Sequence, residues 1–319
     1  IQQKKKLKIF GKKFIKKNKV FEEKTKIKRS KTNQIHTKKA YDYYWKDKSF
    51  LKNVHLKYIK NSTYKEFPKM SKYINQIKKN SNIVELGCGV GGSSLATLEK
   101  KFQSSNYFGF DISSGIYLAQ KRFEKKSISS VFFKTDLNEL KPNKFADLVI
   151  SFGVIQHTGD IPKAVKIISK FLKKDGYAIF NAYKKAPPIR YFSDNFIHDQ
   201  IKKMKPNDAL KELKSLTKFG ISLAKSGIRV KVRENLDFLG IKRGNYNLQT
   251  FFFDYIFKTY FHENETFGRL LHLNSDWYYP ENRNQISPKE FYKVIKKNNM
   301  KILEKNITGT FISVICKKK

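Results

Sequence analysis

Residues 84–92 read VELGCGVGG, a short apolar strand that runs directly into a glycine-rich turn. The apolar run carries one acidic residue, Glu85, and glycines stand at positions 87, 89, 91 and 92. Because glycine has no Cβ, such a turn lets the backbone approach a bound nucleotide-like ligand closely. The glycine spacing fits more than one class of cofactor, so the choice between them depends on the motifs further along the chain.

Short strands alternate with helical segments from residue 82 onward, which is typical of a parallel sheet with crossover helices. Near the end of the chain, Ser287-Pro288-Lys289-Glu290 predicts a capped helix start, with Ser287 as the N-cap. The predicted fold class is α/β, a doubly wound, mostly parallel seven-stranded sheet with a C-terminal antiparallel β-hairpin and an inserted helical cap. The predicted strands are 82–87, 106–110, 130–134, 146–151, 176–182, 300–307 and 309–317, and the helices between them are 92–102, 114–126, 160–173 and 288–298.

Composition and the alternation of predicted strands and helices divide the chain into five stretches. The first is dense in charge and has weak helical character, which predicts a solvated, partly disordered leader. Aromatic residues at helical spacing come next, and a segment beginning Ala186-Pro187-Pro188 later interrupts the strand–helix alternation. The predicted domains are a basic leader (1–40), an N-terminal helical extension (41–80), a Rossmann-like core (81–183), a helical cap with helices near 195–204, 207–218 and 248–262 (184–286), and a helix and hairpin that complete the core (287–319).

The formal net charge of +40 raises the question of a nucleic-acid partner. Lysine supplies most of it, since eight of the 67 basic residues are arginine. Residues 1–40 carry 16 basic and 2 acidic side chains, a net +14. A solvated, lysine-rich surface explains the net charge without a nucleic-acid partner, so nucleic acid is the less favoured partner. Two cysteines, Cys88 and Cys316, give no disulfide framework, and with no secretory signal or transmembrane stretch evident they favour a cytoplasmic location.

Five motifs succeed one another at the spacings of a doubly wound sheet: VELGCGVGG, FGFDIS (108–113), TDLNEL (135–140), FADLVISFGVIQHTGD (145–160) and LKKDGYAIF (172–180). With the closing hairpin, this set resembles class I S-adenosylmethionine-dependent methyltransferases. The fourth motif is similar to that of the small-molecule branch, which is related to quinone and sterol methyltransferases. The resemblance covers residues 80–183 and 287–317, and it implies S-adenosylmethionine as the cofactor.

The resemblance also implies roles for individual residues. Asp111 would accept from the ribose hydroxyls, Asp136 from the adenine amine, and Glu85 would orient the methionine end. Each position has a simpler explanation, since Asp111 and Asp136 also suit ordinary turns and Gly91 suits tight packing. The full set of predicted cofactor-binding residues is Glu85, Gly87, Cys88, Gly89, Gly91, Asp111, Ile112, Asp136, Leu137, Phe152 and Gly153.

An oxygen or nitrogen acceptor must lose a proton during methyl transfer, and His157 is the candidate base. The alternative is that His157 caps its loop or contacts the cofactor. No metal site is predicted. The candidate acceptor contacts in the cap are Arg190, Tyr191, Trp277 and Tyr278, and an acidic or phosphorylated acceptor would suit Arg190. The acceptor is predicted to be small or lipid-like. The aromatic stretch 251–261 has three possible roles: a lipophilic lid, a homodimer surface or ordinary helix packing.

Three other functions compete with this hypothesis. An RNA methyltransferase that uses the basic N-terminal arm would suit the net charge, but strand four lacks the Pro-Pro motif of exocyclic-amine enzymes. Glycines 87, 89 and 92 fit the fingerprint of a nicotinamide dehydrogenase, but the fourth motif and the terminal hairpin do not fit that class of enzyme. A non-catalytic S-adenosylmethionine-binding module would keep the same fold.

Overall fold

The structure, a computed structural model, describes residues 4–24, 34–46 and 56–319. The chain divides into two compact units. The sheet unit comprises Ile1–Trp45, Val54–Lys184 and Asn284–Lys319, and the cap unit comprises Lys46–Asn53 and Lys185–Arg283. Parts of the predicted basic leader, residues 1–3 and 25–33, and of the predicted helical extension, residues 47–55, lie outside the described residues.

A mixed sheet of eleven strands forms the centre of the sheet unit. The strands of the described residues are β1 (Lys6–Ile9), β2 (Lys12–Lys17), β3 (Val20–Glu23), β4 (Asn82–Leu86), β5 (Asn106–Asp111), β6 (Ser130–Lys134), β7 (Ala146–Ser151), β8 (Leu172–Lys184), β9 (Arg229–Val232), β10 (Gly244–Asn247), β11 (Gln285–Ile286), β12 (Met300–Ile307) and β13 (Phe311–Lys318). The middle strands of the sheet lie in the order β6-β5-β4-β7-β8 and are parallel to one another, so the chain order of the strands runs in opposite directions on the two sides of β4.

Crossover helices connect the parallel strands. Two helices of the sheet unit begin with side-chain caps: Asp160 accepts from the Lys163 amide at 2.8 Å where α6 (Ile161–Phe171) begins, and Ser287 with Glu290 forms the predicted capping box of α11 (Pro288–Lys297). None of the helices in the described ranges combines the length and apolarity needed to cross a bilayer. Within the described residues the helices are α1 (Gln34–Lys46), α2 (Leu56–Glu66), α3 (Met70–Ile74), α4 (Gly92–Phe102), α5 (Gly115–Lys125), α6 (Ile161–Phe171), α7 (Pro188–Ile201), α8 (Pro206–Lys225), α9 (Leu248–Phe251), α10 (Phe267–Tyr278) and α11 (Pro288–Lys297).

The C-terminal hairpin closes one side of the sheet, as the sequence predicts. Strand β13 runs antiparallel to β8, with Val314 opposite Phe180, and β12 pairs outside β13. The two-residue strand β11 adds a short parallel contact with the end of β8. The predicted α/β class, with its mostly parallel sheet and terminal antiparallel hairpin, is confirmed.

The first strands differ from the predicted solvated leader. Strands β1, β2 and β3 form an antiparallel meander, and β3 pairs in parallel with β6, so the core sheet continues into residues 6–23. Phe10 lies within 5.3–5.8 Å, between ring centroids, of four phenylalanine rings: Phe110, Phe133, Phe145 and Phe171. The high lysine count hides this packing because the lysines alternate with inward-facing aromatic residues.

The cap unit contains both helices and a small sheet. Helices α7, α8, α9 and α10 belong to it, and a π-helical turn, Phe252–Ile256, extends α9. Strands β9 and β10 form a separate antiparallel pair, with Val232 opposite Gly244, that the prediction of a purely helical cap omits. The strands are four residues each, which is too short for a strong alternating pattern.

We predict that Phe10→Ala lowers the free energy of unfolding of the sheet unit by about 3–4 kcal/mol, because it leaves a cavity among four aromatic rings. Phe238→Ala is the matched control, since Phe238 is 78% exposed, and it should change the free energy by about 0.5 kcal/mol or less. Urea denaturation monitored by tyrosine fluorescence and circular dichroism measures both. Equal stability of the two variants would show that the meander does not pack into the core.

Candidate functional site

The glycine turn after β4 is held in place by the end of β5. The carboxylate of Asp111 accepts from the Gly89 amide at 2.7 Å through Oδ2. Its Oδ1 accepts from the amide and hydroxyl of Ser113 at 2.7 and 2.6 Å. The amides of Gly87 and Cys88 both donate to the carbonyl of Phe110. These bonds fix the turn beside the carboxyl ends of two neighbouring parallel strands, where open α/β sheets bind ligands.

Gly87 shows why this turn requires glycine. Its φ is 79°, in the left-handed region that side chains rarely adopt. A Cβ at this position would lie 2.4 Å from both γ-carbons of Val154, which lies just after β7. The turn therefore packs directly against the segment after β7, and any larger residue would force the two apart.

The acidic residue inside β4 is unusually placed for a charge. Glu85 is 3% exposed and accepts a short hydrogen bond from the Tyr107 hydroxyl. Burial raises the pKa of Glu85 to about 7, and the nearby charge of Asp111 adds to the increase while hydrogen bonding opposes it. Burial also raises the pKa of Asp111, although its bonds from Ser113 and Gly89 oppose the shift. Glu85 is therefore a carboxyl group that can hold a proton near neutral pH.

Cys88, within the turn, is a buried thiol. Its pKa lies well above the ordinary value because of burial first and then the charges of Asp111 and Glu85. The thiol is therefore protonated and a poor nucleophile, as expected of a small filler at this position.

Ile112, the residue after Asp111, is half-buried.

The segment after β6 places Asp136 at the start of a single 3₁₀ turn, Leu137–Glu139. Its Oδ1 accepts from the Asn138 amide at 2.9 Å, so the carboxylate serves at least as a local cap. The Asn138 side chain donates to the carbonyl of Thr158 at 2.7 Å and thereby joins this segment to the loop after β7. Burial raises the pKa of Asp136, and Leu137 is half-buried beside it.

Strand β8 supports the loop after β7 through a residue that the sequence analysis overlooks. The Gly153 amide donates to Oδ1 of Asn181 at 2.8 Å. Phe152 packs against Phe67 with ring centroids 5.3 Å apart. Asn181 is 3% exposed within the apolar run of β8. A polar side-chain amide within an apolar strand is the sequence signal that could have identified Asn181 as a functional residue.

His157 lies in a 3₁₀ turn, Ile155–His157, between two tyrosines. Its ring meets those of Tyr41 and Tyr183 edge to face, with centroids 5.8 and 5.4 Å apart. The preceding residue, Gln156, is fully buried, and neither Oε1 nor Nε2 of its amide has a hydrogen-bond partner among the described residues. A buried amide without partners is costly, so Gln156 is a candidate contact for a bound molecule.

Helix α1 crosses the same edge of the sheet. Gln34 donates to the carbonyl of His157 at 3.1 Å, and Asp42 accepts from the Ser114 amide at 2.5 Å. The Trp45 ring covers two glycines: a Cβ at Gly89 would lie 3.5 Å from it, and one at Gly115 would lie 2.7 Å from it. Sequence alone could not place α1, because these contacts span 44 to 123 positions of the chain.

The cap unit brings three of the four predicted acceptor residues together. Arg190, Trp277 and Tyr278 are at most 1% exposed and share one buried cluster with Asp194, Lys258 and Arg283. Tyr191 is 40% exposed, and its ring lies 5.8 Å from the Lys185 ammonium, outside this cluster. Lys258 and Arg283 are not among the acceptor contacts predicted from the sequence. Both are distant in sequence from Arg190 and have no local motif.

A family model described as "Methyltransferase domain" matches residues 57–218 of the chain. A ubiquinone biosynthesis O-methyltransferase of Rickettsia akari is 26% identical over 170 residues, which cover 46% of this chain and 66% of that protein. A malonyl-[acyl-carrier protein] O-methyltransferase of Priestia megaterium is 32% identical over 116 residues, which cover 34% of this chain and 41% of that protein. The chain thus spans less than two thirds of either relative.

Among solved structures, PKMT2 from Rickettsia typhi in complex with AdoHcy superposes with a TM-score of 0.50 and 15% sequence identity. The superposition covers 81% of this chain and 53% of that one. At this identity the likeness concerns the fold alone.

The protonation of Glu85 generates a pH prediction. Because its folded-state pKa of about 7 exceeds the ordinary value of 4.5, the protonated form stabilises the fold below pH 4.5, and this contribution is lost as the pH rises through 7. Between pH 5 and 8 the ligand-free wild type should therefore lose about 2–3 kcal/mol more stability than Glu85→Gln. Glu139→Gln, at a side chain 51% exposed, is the control and should behave like the wild type. Parallel curves for wild type and Glu85→Gln in urea denaturation would refute the assignment.

Proposed function

The chain belongs to the methyltransferase domain family, and from this premise we propose that it is an enzyme that transfers the methyl group of S-adenosylmethionine to an oxygen atom of a small or lipid-like acceptor. The observation that carries the proposal is the glycine turn tied to Asp111 at the switch point of the sheet. The relatives from Rickettsia akari and Priestia megaterium are both named O-methyltransferases, which supports oxygen over nitrogen or carbon as the acceptor atom.

The residues at this edge fit the proposed cofactor. An ionised carboxylate has about four acceptor sites. Asp111 uses three of them within the protein, which leaves capacity for a ribose hydroxyl. We assign the backbone of Gly87, Cys88, Gly89 and Gly91 to the cradle of the methionine end, and the positive φ angles of the three glycines give the turn its shape. In this proposal Glu85 lies below the cradle and orients the methionine end, directly or through water.

The adenine end of the cofactor is assigned to the segment after β6. Oδ1 of Asp136 caps the 3₁₀ turn, so Oδ2 is the atom that we assign to the adenine amine, with the Leu137 amide facing a ring nitrogen. Ile112, beside Asp111, would supply apolar contact. Phe152 and Gly153, after β7, would form the wall between the cofactor and the acceptor. The bond from the Gly153 amide to Asn181 sets the position of that wall.

The bound cofactor supplies an activated methyl group, so the protein has mainly to align the acceptor and exclude water. An acceptor hydroxyl must also lose its proton, and we assign the role of base to His157. Tyr41 and Tyr183 hold its ring edge-on from two sides, which restricts its orientation. The Gln156 amide, buried without partners among the described residues, is assigned to position the acceptor.

The cap unit is proposed to bind the acceptor, with Arg190, Trp277 and Tyr278 as contacts and Tyr191 on its surface. We also propose a cytoplasmic location, which is supported by two buried free thiols, Cys88 and Cys316. Homodimer formation stays a prediction.

Calorimetric titration with S-adenosylhomocysteine tests the cofactor site. We expect one molecule to bind per chain and NADH to give no heat. Asp111→Asn should weaken binding about 10- to 100-fold, because a charged acceptor is lost. Asp147→Asn is the control: Asp147 lies at the amino end of β7, where it binds Asn82 and Lys173, and affinity should not change. Equal affinity of the two variants would exclude Asp111 from the site.

A labelled-methyl assay tests the reaction. We expect S-adenosylmethionine with a tritiated methyl group to label the small-molecule or lipid fraction of a bacterial extract, and not its RNA. His157→Ala should slow labelling about 100-fold or more while its affinity for S-adenosylhomocysteine is retained. Labelling of RNA would overturn the acceptor class, and loss of cofactor affinity in His157→Ala would overturn its role as the base.

A further inference from the structure

The cap unit buries three cationic side chains around one carboxylate. Arg190 and Asp194 lie on α7, Lys258 lies just after the π-helical turn, and Arg283 lies after α10. Arg190, Asp194 and Lys258 are at most 1% exposed, and Arg283 is 6% exposed. We propose that this cluster binds an anionic group of the methyl acceptor, a carboxylate or a phosphate. The inference rests on the proposed function because it names the chemical class of that acceptor.

The guanidinium of Arg190 has two buried donors that no hydrogen bond satisfies among the described residues. Its Nη1 donates to the carbonyl of Phe253 at 3.1 Å, within the π-helical turn. Its Nε and Nη2 are buried and have no hydrogen-bond partner among the described residues. Leaving charged donors buried and unbonded is costly. These two nitrogens form the side edge of the guanidinium, which binds carboxylates and phosphates with two parallel hydrogen bonds.

Asp194 does not complete this pairing. Its Oδ1 accepts from the Tyr278 hydroxyl at 2.6 Å and from the Lys258 amide at 2.8 Å. Its Oδ2 lies 3.5 Å from Nε of Arg190 and 3.8 Å from Nη1 of Arg283, so the two guanidinium groups share one oxygen at ion-pair distance. Asp194 therefore approaches the side edge of Arg190 at Nε alone, at ion-pair distance and without a hydrogen bond, and Nη2 keeps no hydrogen-bond partner among the described residues.

The charges of the cluster also favour an anion. The fully buried carboxylate of Asp194 faces three cations, and Asp254, which is half-buried, is the other acid whose charge acts on Lys258. The five groups sum to +1 when Lys258 is protonated and to zero when it is neutral. Burial, and then the charge of Arg190, lowers the pKa of Lys258 well below its ordinary value. A bound anion would oppose both effects and stabilise the ammonium form.

Aromatic rings surround the cations and indicate what kind of molecule would carry the anion. The Lys258 ammonium lies 3.7 Å from the centre of the Trp277 ring, 5.0 Å from Phe253 and 5.1 Å from Tyr260. The guanidinium carbon of Arg283 lies 4.8 Å from the Trp277 ring. Such contacts hold the cations in place. The chemistry matches an acceptor that bears its anionic group on an apolar or aromatic body.

Arginine side-chain NMR of the full chain tests the site directly. The chain has eight arginines, so ¹⁵N-arginine labelling gives a simple spectrum of the Nε–H groups. Inorganic phosphate and acetate are titrated separately against sodium chloride at equal ionic strength. We expect the Arg190 signal to shift saturably with at least one of the two anions. Saturation with phosphate alone indicates a phosphorylated acceptor, and saturation with acetate indicates a carboxylate. A shift that is absent, or identical in chloride, overturns the proposal.

A lysine substitution separates the paired donors of the Arg190 guanidinium from its positive charge, and a second variant serves as the control. Arg190→Lys keeps the charge but loses the side edge, so anion affinity should fall at least about tenfold. Arg229→Gln is the control, because Arg229 is exposed on β9 and bonds to Asn245, and its anion affinity should match the wild type. Unchanged affinity in Arg190→Lys overturns the proposal, and if that variant does not fold, the wild-type titration decides.

Calorimetry with S-adenosylhomocysteine on the same samples distinguishes this inference from the proposed function. If the anions do not bind but S-adenosylhomocysteine binds normally, the proposal of an anionic acceptor is overturned and the proposed methyl transfer stands. Failure of the wild type to bind S-adenosylhomocysteine removes the proposed function, whatever the anion titration shows.

Discussion

The carboxylate of Asp111 is the constraint on which the candidate site depends. It accepts from Gly89 in the turn after β4 and from Ser113 after β5, and so it sets the distance between the ends of two neighbouring strands. It does this at 9% exposure, where burial raises its pKa and the hydrogen bonds from Ser113 and Gly89 oppose part of that increase. The turn must contain glycine because Val154 approaches it too closely for a Cβ at Gly87.

Side-chain amides continue this arrangement along the edge of the sheet. Asn138 bonds the loop after β6 to that after β7, Asn181 bonds the latter to β8, and Gln34 bonds α1 to His157. Each amide is buried and provides a directional bond to a backbone group. The loops that would contact cofactor and acceptor are therefore fixed by polar bonds, whereas Gln156 alone of these buried amides has a side chain without a partner among the described residues.

Local patterns predicted the features that depend on neighbours in sequence. The glycine turn, the parallel strands, the capping box at Ser287 and the closing hairpin all derive from spacing and periodicity. Long-range packing decided the rest. The lysine count of residues 6–23 concealed a period of two around Phe14, and nothing in that stretch indicates pairing with β6. Lys258 and Arg283, which contact Asp194 together with Arg190, could not be predicted either, because only the folded cap unit brings them together.

The central claim is that the turn held by Asp111 is the binding site for the methyl donor. The most direct measurement is a crystal structure of the full chain grown with S-adenosylhomocysteine. Density for the ribose should lie within hydrogen-bond distance of the Asp111 carboxylate, with the adenine beside Asp136 and the sulfur facing the loop that carries His157. Density for the ligand at any other part of the sheet, with Asp111 bonded only to Gly89 and Ser113, would contradict the account.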